Sequence, residues 1–378
     1  MKNNKLYKLL LMMLFIFTSQ PIQADILFYY NAAILPSMVP RIKPVTIEWK
    51  KVHGGTPFDE YHGIALDSKG YIYAVGKTNE LSTSDAVFSK YDTDGNLIWQ
   101  KLLNGEIKTR VNRLFGIYID KNDAIYLVGD FAERGAYIVD PTKRGSTDAG
   151  ILRFDTEGNE IWSKLIGGSS FDDFYAVTGD DEGNIYAVGS NFARADVDIT
   201  DGNNGARDAL IVKLDTSGNI QWLRTIGGSG TDNLYDVLID NVGDIVTVGT
   251  TDSTDFDLEG FGWPGSGYRD TLTIKLDKDG NVLWLDVLAG SKDDRIASVT
   301  IDNANNIYAV GSITSTDGDF TFTDSPYTRA LLVKYSPSGS RTFIHTEERI
   351  DEALVEQFKS IAYYNNILYI GSKRKRKL

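Results

Sequence analysis

Apolar and polar positions alternate in short runs along this chain, and one run keeps returning. It reads Tyr-Ile-Tyr-Ala-Val-Gly up to Gly76, and close variants end at Gly129, Gly189, Gly249, Gly311 and Gly371, at spacings of 53, 60, 60, 62 and 60 residues. A second marker keeps step with it: Trp49, Trp99, Trp162, Trp222 and Trp284, with Phe343 in the sixth place. Two markers in register over most of the chain mean one structural unit copied several times.

Residues 172–228 show what the unit contains. The spans 172–180, 184–190, 208–215 and 219–226 each contain a run of four to eight apolar-rich residues bounded by Gly, Asp, Asn or Ser, which predicts four strands. The turns are as regular as the strands, with Asp-Thr-Ser-Gly-Asn at 215–219 and its relatives at 92–96, 155–159 and 277–281. There Gly supplies positive φ, and Asp and Asn bond their own backbone. No stretch of comparable length carries a helical period. Four antiparallel strands every 60 residues predict an all-β protein, a β-propeller of four-stranded antiparallel blades. Five complete units and a partial sixth give six blades, with seven as the alternative. The run at residues 45–52 reads as a fourth strand that completes the last blade and removes a free sheet edge. For that blade's third strand the choices are residues 26–30, after a long connection, or none.

The repeated phrase resembles the bacterial SBBP family of β-propeller repeats. Gly-Gly-Ser-Gly-Thr-Asp at 227–232, Thr-Asp-Ser-Thr-Asp-Phe at 251–256 and Ser-Pro-Ser-Gly-Ser at 336–340 carry the likeness, which covers roughly residues 45–372. It implies the propeller fold and leaves the activity open. The count of six departs from the seven blades of that family's name. A weaker similarity, in the run at 214–222, is to the propeller repeat of PQQ-dependent dehydrogenases, but this chain lacks their larger blade number and the paired cysteine many of them use.

Charge and composition narrow the function classes. The net charge is −13, and because Lys2, Lys5 and Lys8 and the basic run 373–377 are positive, residues 25–372 carry −21. Such a body repels phosphate backbones, so nucleic acid is excluded as a partner. Zero cysteines remove disulfides, thiolate nucleophiles and Cys-based metal sites. Residues 1–24 read as a signal peptide, with three lysines, a nine-residue apolar core at 9–17 and Ile22-Gln23-Ala24 before Asp25. The expected organisation is a signal peptide (1–24), a Pro-containing segment (25–44), one propeller domain (45–372) and a basic tail (373–378). The expected location is periplasmic, cell-surface or secreted, with no transmembrane segment.

Candidate chemistry is sparse. An Asp opens the first strand of most units, at Asp59, Asp172, Asp232 and Asp294, with Asn112 in the second. These five groups read either as a ring for a cation or polar ligand at a channel mouth, or as structural caps of the adjacent Gly-Gly turn. The loops from second to third strand are long and dissimilar. The fourth, at 250–269, carries Phe256, Phe261, Trp263 and Tyr268 among Gly and Asp, a composition suited to protein or carbohydrate contact. His53, His62 and His345 form no zinc motif, and no nucleophile elbow or P-loop appears. The expected role is a non-enzymatic scaffold for binding or adhesion to a protein or glycan at the cell envelope. The alternatives are an enzyme acting on a carbohydrate or lactone at the channel mouth, and a propeller stabilised by Ca2+ or another cation. No catalytic residue and no organic cofactor are expected.

Overall fold

The computed structural model describes residues 27–31, 60–80, 83–103, 112–132, 147–167, 170–192, 205–260, 262, 268–320, 328–347, 357–364 and 366–373. Two compact units divide them. One ends at Ile226; the other contains β1 (Leu27–Asn31) and everything from Gly227 onward.

The first unit holds three four-stranded antiparallel sheets, each in sequential order. Blade 1 is β2 (Glu60–Leu66), β3 (Ile72–Glu80), β4 (Thr83–Tyr91) and β5 (Leu97–Leu103). Blade 2 is β6 (Asn112–Ile119), β7 (Ile125–Ala132), β8 (Thr147–Phe154) and β9 (Glu160–Ile166). Blade 3 is β10 (Asp172–Gly179), β11 (Ile185–Asn191), β12 (Asp208–Leu214) and β13 (Ile220–Ile226). The second unit holds blade 4, of β14 (Asn233–Ile239), β15 (Ile245–Thr251), β16 (Asp270–Leu276) and β17 (Val282–Asp286). Blade 5 is β18 (Arg295–Ile301), β19 (Ile307–Ile313), β20 (Arg329–Tyr335) and β21 (Arg341–Glu347). The sixth sheet has three strands in the order β1, β23 (Ile367–Lys373), β22 (Gln357–Tyr364). The all-β, blade-by-blade architecture read from the repeat is therefore present. The N-terminal strand of the last blade is Leu27–Asn31, paired antiparallel with Ile367–Gly371, and the run at 45–52 lies outside the described residues.

Burial explains the sequence pattern. The second and third strands are covered on both faces, so β11, β15, β16 and β19 are buried at every position. Between blades 1 and 2 the core contains Tyr73, Phe88, Leu127 and Phe154, and between blades 2 and 3 it contains Tyr126, Ile151, Ala187 and Leu210. Val248, Leu288, Val333 and Tyr335 fill the same space between blades 4 and 5. The Trp marker belongs to these junctions. Trp162 lies against Gly218 and donates its indole N–H to the Thr216 carbonyl at 3.0 Å, in the turn of the next blade. Trp284 repeats the contact on Gly339 and the Pro337 carbonyl at 3.2 Å.

The recurring Gly lies inside each second strand and has an equally specific cause. The first strand of every blade carries a one-residue register shift beside it. That bulge pushes a carbonyl across the neighbouring strand: a Cβ at Gly129 would meet the Arg113 carbonyl oxygen at 1.8 Å, and at Gly189 the Asp173 oxygen at 1.8 Å. Only Gly fits so close an approach.

Candidate functional site

Each bulge turns one side chain away from the alternation of its strand. The residues concerned are His62, Phe115 and Tyr175 in the first unit, and Tyr235, Ala297 and Lys359 in the second. In the first unit they form a row. The rings of His62 and Phe115 stack at 5.2 Å with planes 12° apart, and Phe115 meets Tyr175 at 5.2 Å. The Arg113 guanidinium sits 5.1 Å from the Phe115 ring centre.

Charged residues flank the row and are paired. Glu60 lies 3.3 Å from His62 Nε2 and 3.5 Å from Lys77. His62 Nδ1 donates to the Leu114 carbonyl at 2.9 Å. Arg113 binds the buried Asp130 carboxylate through Nε and Nη2. Burial pushes the Asp130 carboxyl upward, and the guanidinium pulls the other way. Asp173 accepts from Arg207 at 2.9 Å and from the Tyr175 hydroxyl at 3.2 Å. None of the site residues expected from the sequence belongs to this row. The signal that could have found these residues was the Gly inside each second strand, which marks the bulge opposite.

The residues opening the first strands are placed differently. Asn112, Asp172, Asp232 and Asp294 are all buried, and Asp59 lies outside the described residues. Asp232 Oδ2 accepts the Gly228 amide and the Ser253 hydroxyl, both at 2.9 Å. Asp294 Oδ1 accepts the amides of Thr314 at 2.8 Å and Ser315 at 3.1 Å. Asp172 accepts the Phe192 amide at 3.2 Å. Each thus ties the turn before its strand to the loop after the second strand. Asp232 Oδ1 and Asp294 Oδ2 are buried with no hydrogen-bond partner. Burial pushes both carboxyls up to about 6, and for Asp294 the neighbouring Asp270 adds to the rise.

The acidic loops of blades 4 and 5 close over the same turns. Asp257, Asp255 and Ser253 accept the amides of Gly227 at 3.2 Å, Ser229 at 2.7 Å and Gly230 at 2.9 Å. One blade on, Asp319, Asp317 and Ser315 accept those of Ala289, Ser291 and Lys292, each at 2.9 Å. The Thr-Asp-Ser-Thr-Asp-Phe phrase is therefore an anion clamp on a run of turn amides. In the strand-three to strand-four hairpins, the Asn219 side chain and turn amides hold the Asp215 carboxyl below the usual range, and Asn281 does the same for Asp277. Of the loop aromatics, Phe256 is 59% and Tyr268 49% exposed, while Phe261 and Trp263 lie outside the described residues. Phe171 and Phe192, joined by a 3.1 Å backbone hydrogen bond, are exposed at the corresponding end of blade 3.

Repeated blades, turn clamps and Trp locks define a β-propeller-repeat scaffold. The family model for the SBBP β-propeller repeat matches residues 55–81. A curated relative, an uncharacterized WD repeat-containing protein of Acanthamoeba polyphaga mimivirus, is 25% identical over 207 residues; the match covers 46% of this chain and 14% of that protein. Among solved structures, the polysaccharide lyase Uly1 is 9% identical with a TM-score of 0.44, over 88% of this chain and 83% of that one. Hydrazine synthase of Kuenenia stuttgartiensis is 12% identical with a TM-score of 0.42, over 88% and 99%. Drosophila Plexin A in complex with Semaphorin 1b is 11% identical with a TM-score of 0.40, over 73% and 51%. These likenesses assign no activity to this chain. Among the described residues no group of three or more His, Cys, Asp or Glu is placed to hold a metal, and no helix is long and apolar enough to cross a membrane.

Proposed function

We propose that this protein is an exported, non-enzymatic β-propeller scaffold that binds a protein or glycan partner at the cell envelope. The observation that carries the reading is the exposure of Phe171, Phe192, Phe256 and Tyr268 at the ends of blades 3 and 4 where the clamped turns sit. Large apolar rings held in water on a rigid frame suit contact with a partner. The acidic groups beside them are occupied by backbone amides, which argues against their use as acid–base catalysts. Residues 1–24 support export. A glycan array and a binding screen of purified envelope proteins test the reading. Turnover of a glycan with no stable partner would overturn it.

A second reading, a cation-stabilised scaffold, is favoured by the partnerless buried oxygens of Asp232 and Asp294. It requires a melting temperature that falls when a chelator is added and recovers with Ca2+.

A further inference from the structure

Blades 4 and 5 provide an internal comparison. Residues 252–258 and 314–320 are equivalent, 62 positions apart, and their two Asp clamps and Ser clamp bind corresponding amides. Beneath them Leu258 and Phe320 are buried in the same place. Between the two Asp clamps the chain takes a left-handed turn in both loops. In blade 5 the residue there is Gly318, with φ 69°; in blade 4 it is Phe256, with φ 53°. Glycine adopts this conformation freely, whereas a bulky side chain rarely does. The blade 4 loop keeps a phenyl ring at a backbone position suited to Gly. That ring is 59% exposed, so little of the fold's core depends on it.

The surroundings of the ring indicate what it can touch. Asp255 and Asp257 flank it along the chain and Glu259 follows. An exposed aromatic ring whose chain neighbours are both carboxylates fits a guanidinium or ammonium group, which the ring attracts through its quadrupole and the acids through their charge. Anionic partners are repelled by the same surface. We infer that Phe256, held outward by the clamped loop, is the anchor of a docking surface for an Arg- or Lys-bearing segment of a partner protein. The inference rests on the scaffold reading and names the chemistry of its partner.

The test uses the full chain and a fluorescein-labelled peptide of alternating Arg and Gly, read by fluorescence polarisation near physiological ionic strength. A Glu-for-Arg peptide is the charge control, and chitohexaose probes the glycan alternative. The Arg peptide binds the native protein and the Glu peptide does not. Phe256→Gly weakens binding about two- to fivefold, the scale of an exposed cation–π contact, and Phe256→Tyr retains it. The Phe256→Gly protein melts at or above the native temperature, because it restores the residue type of blade 5. Equal affinity of Phe256→Gly and native protein would overturn the inference and leave the scaffold reading intact, as would binding of chitohexaose in place of the peptide. Failure of every probe, of the glycan array and of the envelope screen would remove both.

Discussion

Replacing Asp294 by Asn separates a buried proton from a buried cation. The Asp294 carboxyl is fully covered, its Oδ1 takes two amides, and its Oδ2 has no partner. Burial, with Asp270 adding to it, raises the group from 3.8 to about 6. A carboxyl raised on folding stabilises the fold when protonated. Its contribution is complete below the unfolded value near 3.8 and is lost as pH rises through about 6. At about 1.4 kcal/mol per pH unit, the shift corresponds to at most about 3 kcal/mol between pH 4 and pH 7. Asn is neutral throughout, and Asn112 already occupies the equivalent place, buried, in blade 2. Asp294→Asn is therefore expected to equal or exceed the native protein in stability at pH 7.5 and to lose that advantage by pH 4.5. Urea unfolding followed by circular dichroism at five pH values from 4.5 to 8 gives the difference, from which other titrating groups cancel. A variant weaker by the same amount at every pH would refute the reasoning. If the deficit at pH 7.5 vanished in EDTA, the carboxylate would be the ligand of a cation.

Gly189→Ala should cost more than about 3 kcal/mol or block folding, since the new methyl meets the Asp173 carbonyl oxygen. Gly371→Ala, facing the Ser360 hydroxyl instead, should cost about 1 kcal/mol, and thermal melts of the two variants make the comparison. Trp162→Ala removes the indole bond to Thr216 and the packing on Gly218, an expected loss of about 2–3 kcal/mol in chemical denaturation. Lys275→Ala strips the buried partner from Asp240 (2.8 Å) and Asp244 (3.0 Å), and about 3–5 kcal/mol should be lost near neutral pH. Most of that loss should disappear when Asp240→Asn is added, as a double-mutant cycle would show.

Much of the fold was legible because the repeat exposes its own logic. A strand buried on both faces must be a continuous apolar run, so 208–214 and its relatives announced themselves. The hairpin turns were equally readable, since Asp215 and Asn219 bond locally, as at the other Asp–Asn turns. The blade that shares its strands between chain ends was read as split, and Leu27–Asn31 supplies its N-terminal strand. The first-strand bulges left no mark in their own strand, only the Gly of the strand opposite. A bulge is a relation between two strands, and His62, Phe115 and Tyr175 share no residue type that would betray a common position. The acidic loops were visible as composition only. Their pairing with turn amides depends on a contact across some 23 to 30 residues, which no local pattern reports.

The bulge and its opposing Gly divide the labour of each blade between an invariant and a variable. In the first five blades the Gly and the crossing carbonyl fix the backbone, and neither depends on which side chain the bulged residue bears. The six bulged positions accordingly hold an imidazole, a phenyl, two phenols, a methyl and an amine without change of frame. Lineages sharing this repeat can exchange those side chains by single codon changes while the sheet pairing stays constant. Comparing the six positions among relatives then separates the side chains that are free to differ from the grammar that keeps the blades folded.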